Sequence, residues 1–292
     1  MNLSLAKALD RVGGNILASA FNAVDGILSL VAPPPSPIDD VTGIALFKFW
    51  GIGNWALLRP IVLDLRDRFP RARLTIVTLS QNLPVVFDLA DEVLTVRSSG
   101  FFPLATDLCS ALRRLRRLAP QMSLDFEQFS RASALLARAA GIPQRIGFAS
   151  GGASRDGLYT VRVPFRRDAH VSRSFRDLAE AAGVPAGPYA PGGLSPTPEG
   201  LAQARTAIGD AGPDGPLVVL HPGSGDNFPG RRWSEAGFSA VGRHAALRHG
   251  ARVVVRGSVA EGELCERVVR GAGPEATSLA GRLSLPGLVG LL

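Results

Sequence analysis

The chain has 292 residues, enough for one large or two medium domains, and its 46% hydrophobic and 20% charged residues are those of a globular protein with a sizeable core. The formal charge of +7 rests almost wholly on arginine, lysine occurring only at Lys7 and Lys48. That excess favours anionic partners such as sugar nucleotides, phosphorylated glycolipids or a membrane surface. Zinc-finger spacing, a ribonucleoprotein signature and an aromatic–basic face are all missing, which excludes nucleic acid, and two cysteines, Cys109 and Cys265, make no disulfide framework.

Residues 1–40 stand apart. Leu5, Leu9, Val12, Ile16, Ala20, Val24, Ile27 and Val31 recur at spacings of three and four, one apolar face of a helix with a basic start at Lys7 and Arg11. Asn22 and Asp25 make it a poor membrane span, so it either lies on an anionic membrane or packs on the protein body. Pro33 to Pro37 end it as a linker. From Val41 the pattern alternates. Strands are expected at 43–49, 74–79, 93–96, 123–126 and 145–148, and helices at 54–68 and 104–118 and through Ala140. Arg113, Arg114, Arg116 and Arg117 read as a solvated helix face. Alternating β and α elements imply a mostly parallel sheet with helices on both faces.

The stretch 183–200 is dense in proline and glycine and reads as a linker. The domains are therefore 41–186 and 201–292, with 187–200 between them. A helix follows at 199–209, and then the opening pattern returns. Strand 217–220 leads into the loop His221-Pro222-Gly223-Ser224-Gly225, followed by helix 233–248, strand 252–255, helix 261–270, a short strand at 278–280 and a helix after Ser284. The sequence ends within an apolar helical pattern, so the second domain is expected to be incomplete.

Two stretches carry chemistry. Ile44 to Pro60 reads as a strand, a glycine turn at Gly51 and Gly53, and a helix that Asn54 could cap. Such a junction points backbone N–H groups at an anion. Gly51 to Ala56 also fits G-x-G-x-x-A, but the second strand ends in Leu79-Ser80-Gln81-Asn82 with no carboxylate for a ribose, which ranks a nicotinamide enzyme low. The second stretch is His221 to Trp233. Gly223, Ser224 and Gly225 can bring backbone donors to a phosphate, and Arg231 and Arg232 suit a diphosphate.

Phe47-Lys48-Phe49-Trp50-Gly51-Ile52-Gly53-Asn54, Arg66 with Phe69-Pro70, Asp125-Phe126-Glu127, His221-Pro222-Gly223 with Arg231-Arg232-Trp233, and Leu279-Ala280-Gly281 with Ser284-Leu285 together resemble the family 9 glycosyltransferases, the lipopolysaccharide heptosyltransferases and their relatives. The resemblance covers 44–292. It implies a GT-B-like α/β fold of two Rossmann-like domains with parallel sheets, the second apparently truncated. It also implies inverting, metal-independent transfer of a sugar, typically heptose, from a nucleotide-diphospho-sugar such as ADP-heptose to a lipid-linked saccharide of the lipopolysaccharide core. No cofactor is implied, the nucleotide sugar being a substrate.

On that resemblance Gly51 and Gly53 shape the acceptor-side turn, and His221, Gly223, Ser224, Gly225, Arg231 and Arg232 hold the donor diphosphate. The family places a carboxylate where this chain has Asn54, and an amide cannot accept the acceptor's proton, so Asp125 or Glu127 is the candidate general base. His170 resembles a position near the cleft without a firm role. The family's D-[ST]-G-x-x-H segment would lie beyond Leu292. The expected location is the cytoplasmic face of the bacterial inner membrane, as a peripheral protein. The competing reading is a non-catalytic sugar-nucleotide or glycolipid binder that has lost its base.

Overall fold

The computed structural model describes residues 18–19, 21–22, 41–128, 130–149, 153–190, 192–209, 215–225 and 229–292. Of the N-terminal helix only four residues are therefore described. They are helical, and Ala18 is buried against Ala134, Leu158 and Tyr159 while Asn22 Nδ2 donates to Ser154 O at 2.8 Å. At these positions the segment packs on the protein body; the rest of the expected apolar face lies outside the described residues.

The chain forms two compact units, Met1–Leu194 and Ser195–Leu292. In the first, strands β1 (Gly43–Phe47), β2 (Arg73–Leu79), β3 (Glu92–Val96), β4 (Met122–Asp125), β5 (Gln144–Ala149) and β6 (Val161–Pro164) form one sheet in the order β3-β2-β1-β4-β5-β6, every pair parallel. Helices α1 (Ile52–Arg68), α2 (Leu83–Val86), α3 (Phe101–Leu118), α4 (Ala132–Ala139), α5 (Ala153–Asp156) and α6 (Val171–Ala181) connect them. All five residues of β1 are buried, as expected of a central strand covered on both faces. On one face Ala111 and Leu115 of α3 and Leu136 and Ala137 of α4 pack on Ala45, Phe47 and Val77. Arg176 on α6 is ion-paired to Asp64 on α1. Neither β6 nor α6 was expected from the sequence.

The second unit carries α7 (Pro198–Ile208), β7 (Leu217–Leu220), α8 (Glu235–His249), β8 (Arg252–Val255), α9 (Gly262–Ala272), β9 (Ala276–Ser278) and α10 (Leu285–Leu291). Its strands form a parallel sheet in the order β7-β8-β9. Cys265 and Val268 of α9 pack on Val253 and Val255. Serine and threonine caps start the helices where the sequence offers them: Thr197 accepts from Gly200 N, Ser234 from Gly237 N and Ser284 from Gly287 N. Among the described residues no helix is long and apolar enough to cross a membrane.

Candidate active site

In the first sheet the strand order reverses between β1 and β4, and ligands of open α/β sheets bind beyond the carboxyl ends of the strands at such a point. The residues that leave those two strands are Lys48 to Asn54 and Phe126 to Gln128. The turn is held by buried side chains. Trp55 Nε1 donates to Lys48 O at 3.1 Å and to Thr78 Oγ1 at 3.0 Å, and Asn82 Nδ2 donates to Phe49 O at 2.8 Å. Gly51 then starts α1 at φ 90°, where a Cβ would also collide with the Asn54 amide. Asn54 is not the cap; it lies within the first turn of α1, half-buried, and Gly51 holds the N-cap position.

Both candidate bases are committed elsewhere. Glu127, 3% exposed, accepts the N–H groups of Phe49 and Trp50 on Oε1 at 2.6 and 2.8 Å and faces Lys48 Nζ at 3.4 Å. It thus ties the chain that leaves β1 to the chain that leaves β4. Asp125 is also buried. Its Oδ2 accepts the Tyr159 hydroxyl at 2.6 Å, its Oδ1 accepts Glu127 N at 3.0 Å, and Arg155 Nη2 lies 3.9 Å away. Burial raises its pKa against the pull of Arg155, and burial with the Asp125 charge pushes the Tyr159 phenol well up. In this geometry both carboxylates hold backbone N–H groups and the Tyr159 hydroxyl. His170 caps α6, its Nδ1 accepting from Ser172 N.

In the second unit β7 delivers His221, which is exposed, and its Nδ1 meets Arg256 O at 3.1 Å. A carbonyl only accepts, so Nδ1 carries the proton. Gly223 is required by contact: a Cβ there would overlap the Glu261 carboxylate. Arg232 folds back over the loop, donating to Ser224 Oγ at 3.2 Å and to Gly225 O at 3.4 Å, whereas Arg231 ends a short 3₁₀ turn with an exposed side chain. Arg232 is thus a brace for the loop as well as a charge beside it. Trp233 packs edge-to-face on Phe238 at 5.4 Å.

The residue that sequence reasoning passed over is Glu261. Its Oε1 accepts Gly225 N at 3.1 Å, and its Oε2 accepts Ser258 N at 2.8 Å and Ser258 Oγ at 2.9 Å. The Ser258 N–H holds its pKa at about 2, with Gly225 N–H adding to the effect against the cost of burial. The available signal was Ser258-Val259-Ala260-Glu261, a capping box. In both units, therefore, an internal carboxylate receives N–H groups of the loop that follows the first strand.

A family model described as glycosyltransferase family 9 (heptosyltransferase) matches residues 110–292. No curated protein matches the chain. Among solved structures it is similar to a family 9 glycosyl transferase from Veillonella parvula, with 19% identity, 86% of this chain and 72% of that one covered, and a TM-score of 0.75. It is also similar to E. coli ADP-heptose lps heptosyltransferase II, with 18% identity, 86% and 76% covered and a TM-score of 0.67. A third likeness is to E. coli heptosyltransferase WaaC with ADP, with 15% identity, 85% and 77% covered and a TM-score of 0.63. At these identities the structures speak for a shared GT-B-like α/β fold with parallel sheets. The family model spans well over half of the sequence, and with it the chain belongs to glycosyltransferase family 9.

Proposed function

We propose that the chain transfers a sugar, heptose, from an ADP-linked donor to a lipid-linked saccharide of the lipopolysaccharide core, as a peripheral protein on the cytoplasmic face of the inner membrane. The observation that carries the donor half is the loop His221–Gly225 at the carboxyl end of β7, with Arg231 exposed beside it. Support also comes from WaaC, solved with ADP and with ADP-2-deoxy-2-fluoro heptose.

In this reading the acceptor hydroxyl attacks the anomeric carbon as the C–O bond to the diphosphate breaks, with inversion, and its proton passes to solvent water, since Asp125 and Glu127 are held by Tyr159 and the turn N–H groups. The charge growing on the departing diphosphate is met by Arg231, Arg232 and loop N–H groups, so neither metal nor cofactor enters the step. Gly51 and Gly53 let the acceptor approach the turn, and Asn54 orients its hydroxyl. Calorimetric titration with ADP, UDP, GDP and NAD tests the donor half. ADP should bind selectively, and Arg231→Ala should weaken it about tenfold, the cost of a charge-assisted contact. Selective UDP or GDP binding would change the donor, and NAD binding would sink the reading.

Asn54 and the commitment of Asp125 and Glu127 favour a second reading, a binder that no longer transfers. Asn54→Asp separates the two. In a binder with an otherwise intact site it brings transfer of sugar from ADP-heptose up from background. In a working transferase it leaves the rate unchanged or lowers it.

A further inference from the structure

The outer face of α3 is unexplained by either half of the proposed reaction. Phe102, Thr106, Cys109, Arg113 and Arg117 follow one another at spacings of four, three, four and four, so they form one stripe along the helix, with Arg116 beside Cys109 and Arg113. Every one of these side chains is exposed. Phe102 is 81% exposed, and Phe101, stacked edge-to-face on it at 5.7 Å, is 55% exposed. Ala111 and Leu115 hold the opposite face on the sheet, so the stripe cannot turn inward. The preceding connection, from β2 through α2 to β3, exposes Leu83 and Phe87. Arg114 is taken by Glu92 at 2.6 and 2.8 Å, whereas Arg113 and Arg117 meet no carboxylate among the described residues. These two, with Arg114 and Ser110, line a groove of about 340 Å³ between α3 and the edge strand β3, whose two carboxylates, Glu92 and Asp107, are already paired, to Arg73 and Arg114 and to Arg97.

An apolar end and a cationic end on one solvent-facing stripe fit a surface that is itself apolar below and anionic above. We propose that this face of α3 docks on an anionic lipid bilayer, Phe102 entering the acyl boundary while Arg113 and Arg117 meet headgroup phosphates; Arg116 donates instead to Ala139 O at 3.2 and 3.0 Å. Charge placement agrees. Of the 32 Lys and Arg, 22 fall before Ser195 and 10 after, against 16 and 9 of the 25 Asp and Glu, so the positive excess belongs to the first unit. The proposal deepens the reading of a lipid-linked acceptor and rests on it for its purpose. Its test reads no sugar transfer and no nucleotide binding, so either can fail without the other.

Cys109 lies on the stripe and is exposed, while Cys265 is buried, so a thiol-reactive, environment-sensitive dye marks this face alone. The labelled full chain is titrated with vesicles of phosphatidylglycerol and, separately, of phosphatidylcholine. The dye should shift to the blue only with phosphatidylglycerol, less so as salt is raised. R113Q/R117Q should weaken the binding about thirtyfold, and F102A about tenfold, with circular dichroism spectra unchanged. Four results would overturn the proposal: no binding to either vesicle; equal binding to both; binding without a shift at Cys109, which assigns it to another surface such as residues 1–40; or a shift that rises with protein concentration in the absence of lipid, which assigns the face to a second copy of the chain.

Discussion

Glu261 is 8% exposed and still ionised, because Ser258 and Gly225 present N–H donors to it. Its folded pKa, about 2, lies below the ordinary 4.5. A depressed carboxylate adds stability above the unfolded pKa and loses it as pH falls through the folded one. The Glu261→Gln variant should therefore be less stable than the parent at neutral pH by on the order of 2 kcal/mol. The gap should close between about pH 4.5 and pH 2, as urea melts across that range would read out. Glu127 presents a different balance, since it faces a buried ammonium. Replacing it with Gln leaves Lys48 charged and without its partner, which costs about 3 kcal/mol. In thermal melts, Lys48→Met added to that variant should restore part of the loss, since the stranded charge goes with it. A variant pair whose losses simply added would show that the two side chains do not act together.

At the scale of elements, α3 has two faces of unequal worth. Leu115 is fully buried, and Leu115→Ala should cost about 3 kcal/mol. Arg113→Gln on the exposed stripe should stay within about 0.5 kcal/mol, both measured by chemical denaturation. Most elements were legible in the sequence because their apolar spacing is strong: β1, β2, α3, β7 and β8 lie within a few residues of where the pattern puts them. β6 and α6 were not. β6 is a four-residue edge strand that ends in Pro164 and carries Arg162, and α6 buries Ser172, Ser174 and Arg176 alongside Phe175 and Leu178, which breaks the apolar signal. The site was legible as loops but not as partners. Asp125-Phe126-Glu127 reads the same whether its carboxylates face solvent or turn inward, and only Tyr159, Arg155 and the turn N–H groups decide that.

For the whole molecule, the two units repeat one plan: a parallel sheet whose first strand feeds a glycine-containing loop tied down by a carboxylate from the segment that follows a neighbouring strand. The duplication predicts a division of labour that amide exchange can read. ADP should protect 221–225 and 256–261 and leave β1 to β4 unchanged; protection of the Lys48–Asn54 turn instead would move the donor to the first unit. The pairing of β1 has a further consequence, for synthesis. Ile44 pairs with Leu74 on one side and with Met122 on the other. While the ribosome is still adding the residues between these two partners, the most buried strand of the unit stands with one edge bare. A nascent chain in that state offers an apolar ladder to any neighbour, and slowing elongation after β2 should lower the soluble yield more than slowing it after β4.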